Sequence, residues 1–130
     1  MIMNKKITLP LFTILVLSLI SFTLLPTTTN DPVGKWKFTA PGAPYGYDQG
    51  TIEITREQDE YKATISFTGM DYKYDLEKTK YEDDKISFGL YLDGEDIFVL
   101  LTFTEKDKLS GKAMHSQGEL SIYATREKDE

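Results

Sequence analysis

A single histidine, His115, and no cysteine set a low ceiling on the chemistry this chain can perform. A lone imidazole without a thiol or a paired-carboxylate motif nearby makes a poor metal site and a poor general base, so His115 reads as a rim residue. Without cysteine there is no thiol catalysis, no disulfide and no lipid-modified cysteine. Asp93, Glu95 and Asp96 crowd around Gly94, but the spacing of a calcium loop is missing. Asp-Gly is also the strongest short hairpin signal, and the segment reads as a turn. No glycine-rich phosphate loop leads from a strand into a helix, and Ser, His and Asp fall in no recognisable catalytic order. The sequence therefore assigns no catalytic residue, no metal and no cofactor.

Binding is better served than catalysis. The stretch GKWKFTAPGAPYGYDQG, from Gly34 to Gly50, opens as an alternating strand around Trp36, the one tryptophan. It then breaks into a loop carrying Tyr45 and Tyr47. Tyrosine presents a large ring and a hydroxyl at low entropic cost, which suits a recognition surface. With Met70 and Tyr72 from a neighbouring loop, and with Tyr74, Phe88, Leu90 and Leu101 lining an interior, these side chains would hold a small apolar, aromatic or sugar-like molecule. Two arrangements stay open: the tyrosines fold down and fill the interior, or they stand above a vacant cup.

The elements that must position them are strands. Past Pro32 the chain has period two almost throughout, and no segment shows a helical period. Strands are expected at 34–39, 50–56, 60–68, 71–76 continuing unevenly to 81, 85–92, 95–104, 108–115 and 119–126, each rich in Ile, Phe, Tyr, Thr or Leu and bounded by Gly, Asp or a charged turn. One parity is apolar, the other mostly Lys, Glu, Thr and Ser. Beyond Leu76 the inward register would bury Lys78 and Lys80 while Tyr81 falls out of phase. A bulge is therefore expected near Glu77 and Lys78. Phe98 and Leu100 point outward from the seventh strand, either as a contact surface or as isolated exposed side chains; the second reading is the more ordinary.

Eight short strands in an antiparallel meander are the number that closes into an up-and-down β-barrel and abolishes sheet edges. A two-sheet β-sandwich is the alternative, though it would need more long connections than the one present. In a barrel alternate turns share an end. Residues 57–59, 82–84 and 105–107 would seal one end with short charged turns. Residues 40–49, 69–70, 93–94 and 116–118 would form the other, and binding usually resides on such loops.

Gly34-x-Trp36 at the start of the first strand and Arg126 at the end of the last resemble the lipocalins and the wider calycin superfamily. There a Gly-x-Trp opens the barrel and a late arginine lies across the tryptophan. The resemblance implies a ligand-binding cup with its long first loop over the mouth, and a structural role for Gly34, Trp36 and Arg126. The chain departs from that pattern in being short, in lacking a C-terminal helix and in having no disulfide. It looks more like a minimal bacterial lipocalin-like domain. Independently of family, a guanidinium stacked on an indole contributes about 0.5–2 kcal/mol and caps a barrel end.

Residues 1–29 read as a signal peptide or an N-terminal anchor, and 30–130 as the barrel domain. Lys5 and Lys6 precede an apolar run to Leu25 and a polar exit at Thr27–Thr29, which favours a cleaved signal; the run is also about the 20 residues that span a bilayer. An exported, periplasmic or extracellular location is expected. The net charge of −6 becomes −8 without Lys5 and Lys6. That argues against nucleic acid, and against a membrane surface other than through the N-terminal segment. Two functions follow: a non-catalytic binder of a small apolar or aromatic ligand, or a protein-binding module of the cell envelope such as a protease inhibitor.

Overall fold

The computed structural model describes residues 30–128; the N-terminal segment read as a signal or anchor lies outside them. The described chain is a single antiparallel sheet of β1 (Gly34–Thr39), β2 (Gln49–Glu57), β3 (Glu60–Phe67), β4 (Lys73–Asp75), β5 (Glu77–Glu82), β6 (Lys85–Leu92), β7 (Glu95–Glu105), β8 (Lys108–His115) and β9 (Gly118–Arg126). Its order is β4-β3-β2-β1-β9-β8-β7-β6-β5. The first and last strands pair, with Trp36 opposite Arg126 and Phe38 opposite Ala124. This closure makes an up-and-down barrel and excludes the sandwich.

The expected fourth strand is present in two parts, which accounts for nine strands rather than eight. Its first part, β4, pairs with β3 through Ile65 and Tyr74. The Leu76 N–H still donates to the Ala63 carbonyl at 2.9 Å. Then the register shifts between Glu77 and Lys80, and Lys78 adopts φ 53°. After this irregularity β5 pairs only with β6. The local break is what keeps Lys78 and Lys80 exposed and turns Tyr81 inward. The barrel is thus nearly closed, with one split where the start of β3 faces β5.

Inward parity holds along the strands. Trp36, Phe38, Ile52, Ile54, Ile65, Phe67, Phe88, Val99, Leu101 and Ile122 form one buried core. The strand expected from residue 71 begins only at Lys73: residues 68–72 leave the sheet, and Tyr72, in phase with Tyr74, is 62 % exposed. Barrel curvature shows in Gly111, where an added Cβ would lie 1.8 Å from the Leu100 carbonyl oxygen; a side chain there would force β7 and β8 apart.

The end with the short charged turns is capped by one arginine. The Arg126 guanidinium sits 4.4 Å from the centre of the fully buried Trp36 ring. It donates to Asp107 Oδ1 at 2.7 Å and to the carbonyls of Val33 and Asp31 at 2.8 Å each. Trp36 Nε1 donates to the Pro32 carbonyl at 2.9 Å. Residues 31–33 are thereby tied across the barrel end. The aromatic contacts continue edge to face from Trp36 to Phe103, Tyr81 and Tyr61. The Tyr81 hydroxyl lies 2.7 Å from the Asn30 carbonyl oxygen and 3.1 Å from Asp84 Oδ1. Burial, followed by the contact with Asp84, pushes its phenol up to about 12.

Two predictions concern this cap. Arg126→Ala removes the stacking and a charge-assisted network together, and should lower stability by about 2–4 kcal/mol, read as a fall in the urea midpoint. The hydrogen bond from Arg126, then that from Lys128, holds the Asp107 carboxyl below the usual aspartate range. A carboxyl depressed in the folded state stabilises fully above its unfolded value of about 4 and loses that contribution as pH falls through the lower folded value. Asp107→Asn should therefore flatten the acid limb of the stability profile below about pH 4 and leave its alkaline limb unchanged.

Candidate functional site

At the opposite end four connections meet: residues 40–48, 68–72, 93–94 and 116–117. The loop 40–48 is long enough to cross the mouth and is built to do so. The Ala40 N–H donates to the Asp48 carbonyl at 2.8 Å, which closes its base. Ala43 N–H to Ala40 and Tyr47 N–H to Pro44, each at 2.9 Å, fold it into two successive turns. The loop then meets each of the other three sides. Gly42 lies against Leu120 so closely that an added Cβ would be 2.9 Å from its methyl, and Gly46 sits beside the end of Met70. The Tyr47 hydroxyl donates to Asp93 Oδ2 at 3.0 Å. The Tyr47 ring packs edge to face on Phe67, 5.0 Å between centres. The loop is a lid with one side chain, Tyr47, turned under it.

Beneath it the interior is not filled. A cavity of about 260 Å³ remains, open toward solvent and walled by apolar side chains including Phe38, Ile65, Phe67, Leu90, Ile97, Val99, Ala113, Leu120 and Ile122. Ala43, Pro44 and Tyr47 close it from the lid side. Its polar groups are confined to the rim: Asp93, Glu95, His115 and Gln117. Phe67 organises the wall through edge contacts with Phe38, Tyr47 and Tyr74 at 6.0, 5.0 and 5.9 Å.

Among the eight side chains the sequence proposes for a ligand, Tyr47 and Leu90 line this cavity. Phe88 and Leu101 are fully buried but lie deeper, where Ile86 and Phe88 of β6 pair with Leu101 and Val99 of β7. Tyr74 is half-buried against Phe67 outside the cavity wall. Met70 and Tyr72 are exposed beside the lid, and Tyr45, 99 % exposed, points away from the barrel. The four side chains expected to grip together are therefore divided, with Tyr47 alone inside.

His115 stands at the rim, as the sequence suggests, but beside it is Glu95, which in the sequence reads as part of a turn. Glu95 and His115 share the inward parity of Ile97 and Ala113 and stand at the mouth layer of β7 and β8. Glu95 Oε1 accepts from the Ser116 hydroxyl at 2.8 Å and the Ser116 N–H at 3.1 Å, with His115 Nδ1 3.5 Å away. The bonds from Ser116, side chain first, hold the Glu95 carboxyl below the usual glutamate range. The Gln117 N–H lies 3.3 Å from His115 Nδ1. The hydrogen bond to Asp93 raises the Tyr47 phenol above its ordinary value, so it remains a donor at neutral pH. Among the described residues no three His, Asp or Glu side chains converge to hold a metal ion. A larger groove of about 980 Å³ follows the split between β3 and β5, but it is bordered by Asp59, Glu60, Lys62, Lys78 and Lys80 and lies open to water.

Comparison with known proteins bears on the fold. No family model and no curated protein matches the chain. Among solved structures, a redesigned β-barrel matches at TM-score 0.54 and 16 % identity, covering 74 % of this chain and 91 % of its own. Secretory abundant heat soluble protein 4 from Ramazzottius varieornatus matches at TM-score 0.52 and 14 % identity, covering 78 % of this chain and 100 % of its own. A mutant of the fluorescent protein UnaG matches at TM-score 0.48 and 15 % identity, with 75 % and 97 % covered. The first two share the barrel architecture with this chain.

Tyr47→Phe tests how the lid is held. The ring stays on Phe67 while the hydroxyl bond to Asp93 is lost. Amide exchange in residues 40–48 should accelerate while that of β1 and β9 stays at the wild-type rate, measured by hydrogen–deuterium exchange.

Proposed function

We propose that this chain is an exported, non-catalytic, lipocalin-like barrel that takes up a small apolar or aromatic molecule under the 40–48 lid. One observation carries the reading: the core is continuous at the Arg126 end, yet stops short at the mouth and leaves an apolar-walled space of about 260 Å³. Interiors otherwise pack to crystal-like density, so a vacancy of this size with an ordered lid suits an occupant. Its volume lies just below the roughly 300–1,000 Å³ of most ligand pockets, which points to a small molecule or a single chain. The non-catalytic part of the reading rests on the sequence, in which Ser, His and Asp fall in no recognisable catalytic order. Export rests on the N-terminal signal pattern of the sequence, and kinship with lipocalins rests on Gly34, Trp36 and Arg126.

A second reading, a protein-binding module of the cell envelope, draws on the outer face of the barrel. Phe98 is 47 % exposed there, across β7–β8 from Met114, with Tyr91 exposed on β6. The two readings separate by mutation.

Trp36 lies at the capped end, so a neutral reporter dye such as N-phenylnaphthylamine is the suitable probe. The wild type should bind it saturably. Ala113→Leu, which extends into the cavity, should weaken binding by at least about tenfold while leaving the urea midpoint unchanged or higher. Phe98→Ser should leave dye binding as in the wild type. Absence of saturable binding to the wild type would overturn the cavity reading.

A further inference from the structure

The mouth is one-sided in charge. Its four connections carry Asp48, Asp71 and Asp93 and not one lysine or arginine. The cavity lining adds Glu95, and it too holds no lysine or arginine. The basic side chain that closes the molecule, Arg126, is at the far end and is committed to Asp107 and to backbone carbonyls. A carboxylate head entering this cavity would meet two carboxylates and no fixed cation.

Those two carboxylates are positioned rather than merely present. Tyr47 engages Oδ2 of Asp93, and Ser116 engages Oε1 of Glu95. Among the described residues, Oδ1 of Asp93 and Oε2 of Glu95 have no hydrogen-bond partner. Each carboxylate is therefore oriented by one oxygen and offers the other. Asp93 is in the two-residue β6–β7 turn and Glu95 follows it at the start of β7; Asp93 and Gly94 both take left-handed φ, 53° and 80°. That is a short, stiff two-residue hairpin. The imidazole of His115 stands beside them, its Nδ1 3.5 Å from Glu95 Oε1, the oxygen that Ser116 already engages.

Resting on the proposed uptake of a small molecule, we infer that the ligand is a cationic amphiphile: a single apolar chain or ring in the cavity, and an ammonium or comparable basic head at Asp93 and Glu95. The apolar walls supply affinity through burial, and the rim sets the sign of the head group. Because the rim is close to water, its preference is moderate and sensitive to salt.

Competition against bound N-phenylnaphthylamine tests this with three molecules of one chain length: octylamine, octanol and octanoate, at neutral pH and low salt. Octylamine should compete at least about tenfold more tightly than octanoate, with octanol between. Raising the salt should narrow that ratio, and Asp93→Asn combined with Glu95→Gln should bring it toward one. Should the double variant fail to fold, the salt dependence of the wild type carries the same test. If octanoate competes as well as octylamine, or better, the cationic assignment is wrong while the cavity reading stands. If none of the three displaces the dye, and the dye itself does not bind saturably, the cavity reading fails and the head-group assignment falls with it.

Discussion

Everything at the mouth depends on a contact at the other end, the Arg126 guanidinium lying on the Trp36 ring. Trp36 and Arg126 are register partners across the seam where the last strand meets the first. A barrel made of one meander has its greatest loop-closure cost at that seam, because the two strands are at opposite ends of the sequence. Arg126 supplies what the seam requires. It covers the indole, accepts the orientation imposed by Asp107, and ties down the carbonyls of Asp31 and Val33. Once the seam is fixed, strand number determines the width of the interior, and side-chain size determines how much of it is filled.

The filling is uneven along the axis. Near Arg126, Trp36, Phe103, Tyr81 and Tyr61 form a run of edge-to-face rings, and Pro32 is buried beneath them. Toward the mouth the walls, from Phe38 and Phe67 round to Val99, Ala113 and Ile122, stop short of filling the interior, and the 40–48 loop spans the gap rather than entering it. Only the Tyr47 ring descends. The result is a molecule with a packed end closed by Arg126 and a hollow, acidic-rimmed one.

Much of the fold is legible from sequence because it is encoded in parity. Alternation along 34–39, 50–56, 85–92 and 95–104 identifies which residues face in, and the conflict between Lys78, Lys80 and Tyr81 locates the bulge that the structure has at Lys78. The pairing of first and last strands is legible through Gly34, Trp36 and Arg126. The site is less so, for physical reasons that can be named. Tyr45 and Tyr47 are chemically identical, and parity within an irregular loop means nothing. What separates them is a turn bond from the Tyr47 N–H to Pro44 and a hydroxyl bond to Asp93, 46 positions away. Phe88, Leu90 and Leu101 share one parity, but depth depends on cross-strand register: Leu90 pairs with Ile97 near the mouth, whereas Leu101 pairs with Ile86 toward the cap. Glu95 is legible in the sequence. It falls in phase with Ile97, Val99 and Leu101, and an acidic residue in an inward register is a signal that reading the segment as a turn obscures.

The central claim is that the space under the lid is the part of the molecule that receives a ligand. Methyl-labelled NMR during titration with N-phenylnaphthylamine addresses it residue by residue. The account predicts saturable shift changes at Leu90, Val99 and Ile122 around the cavity, with Ile54 and Leu109 unmoved in the closed half. Changes absent from the cavity methyls, or confined to the outer face around Leu100, would contradict it.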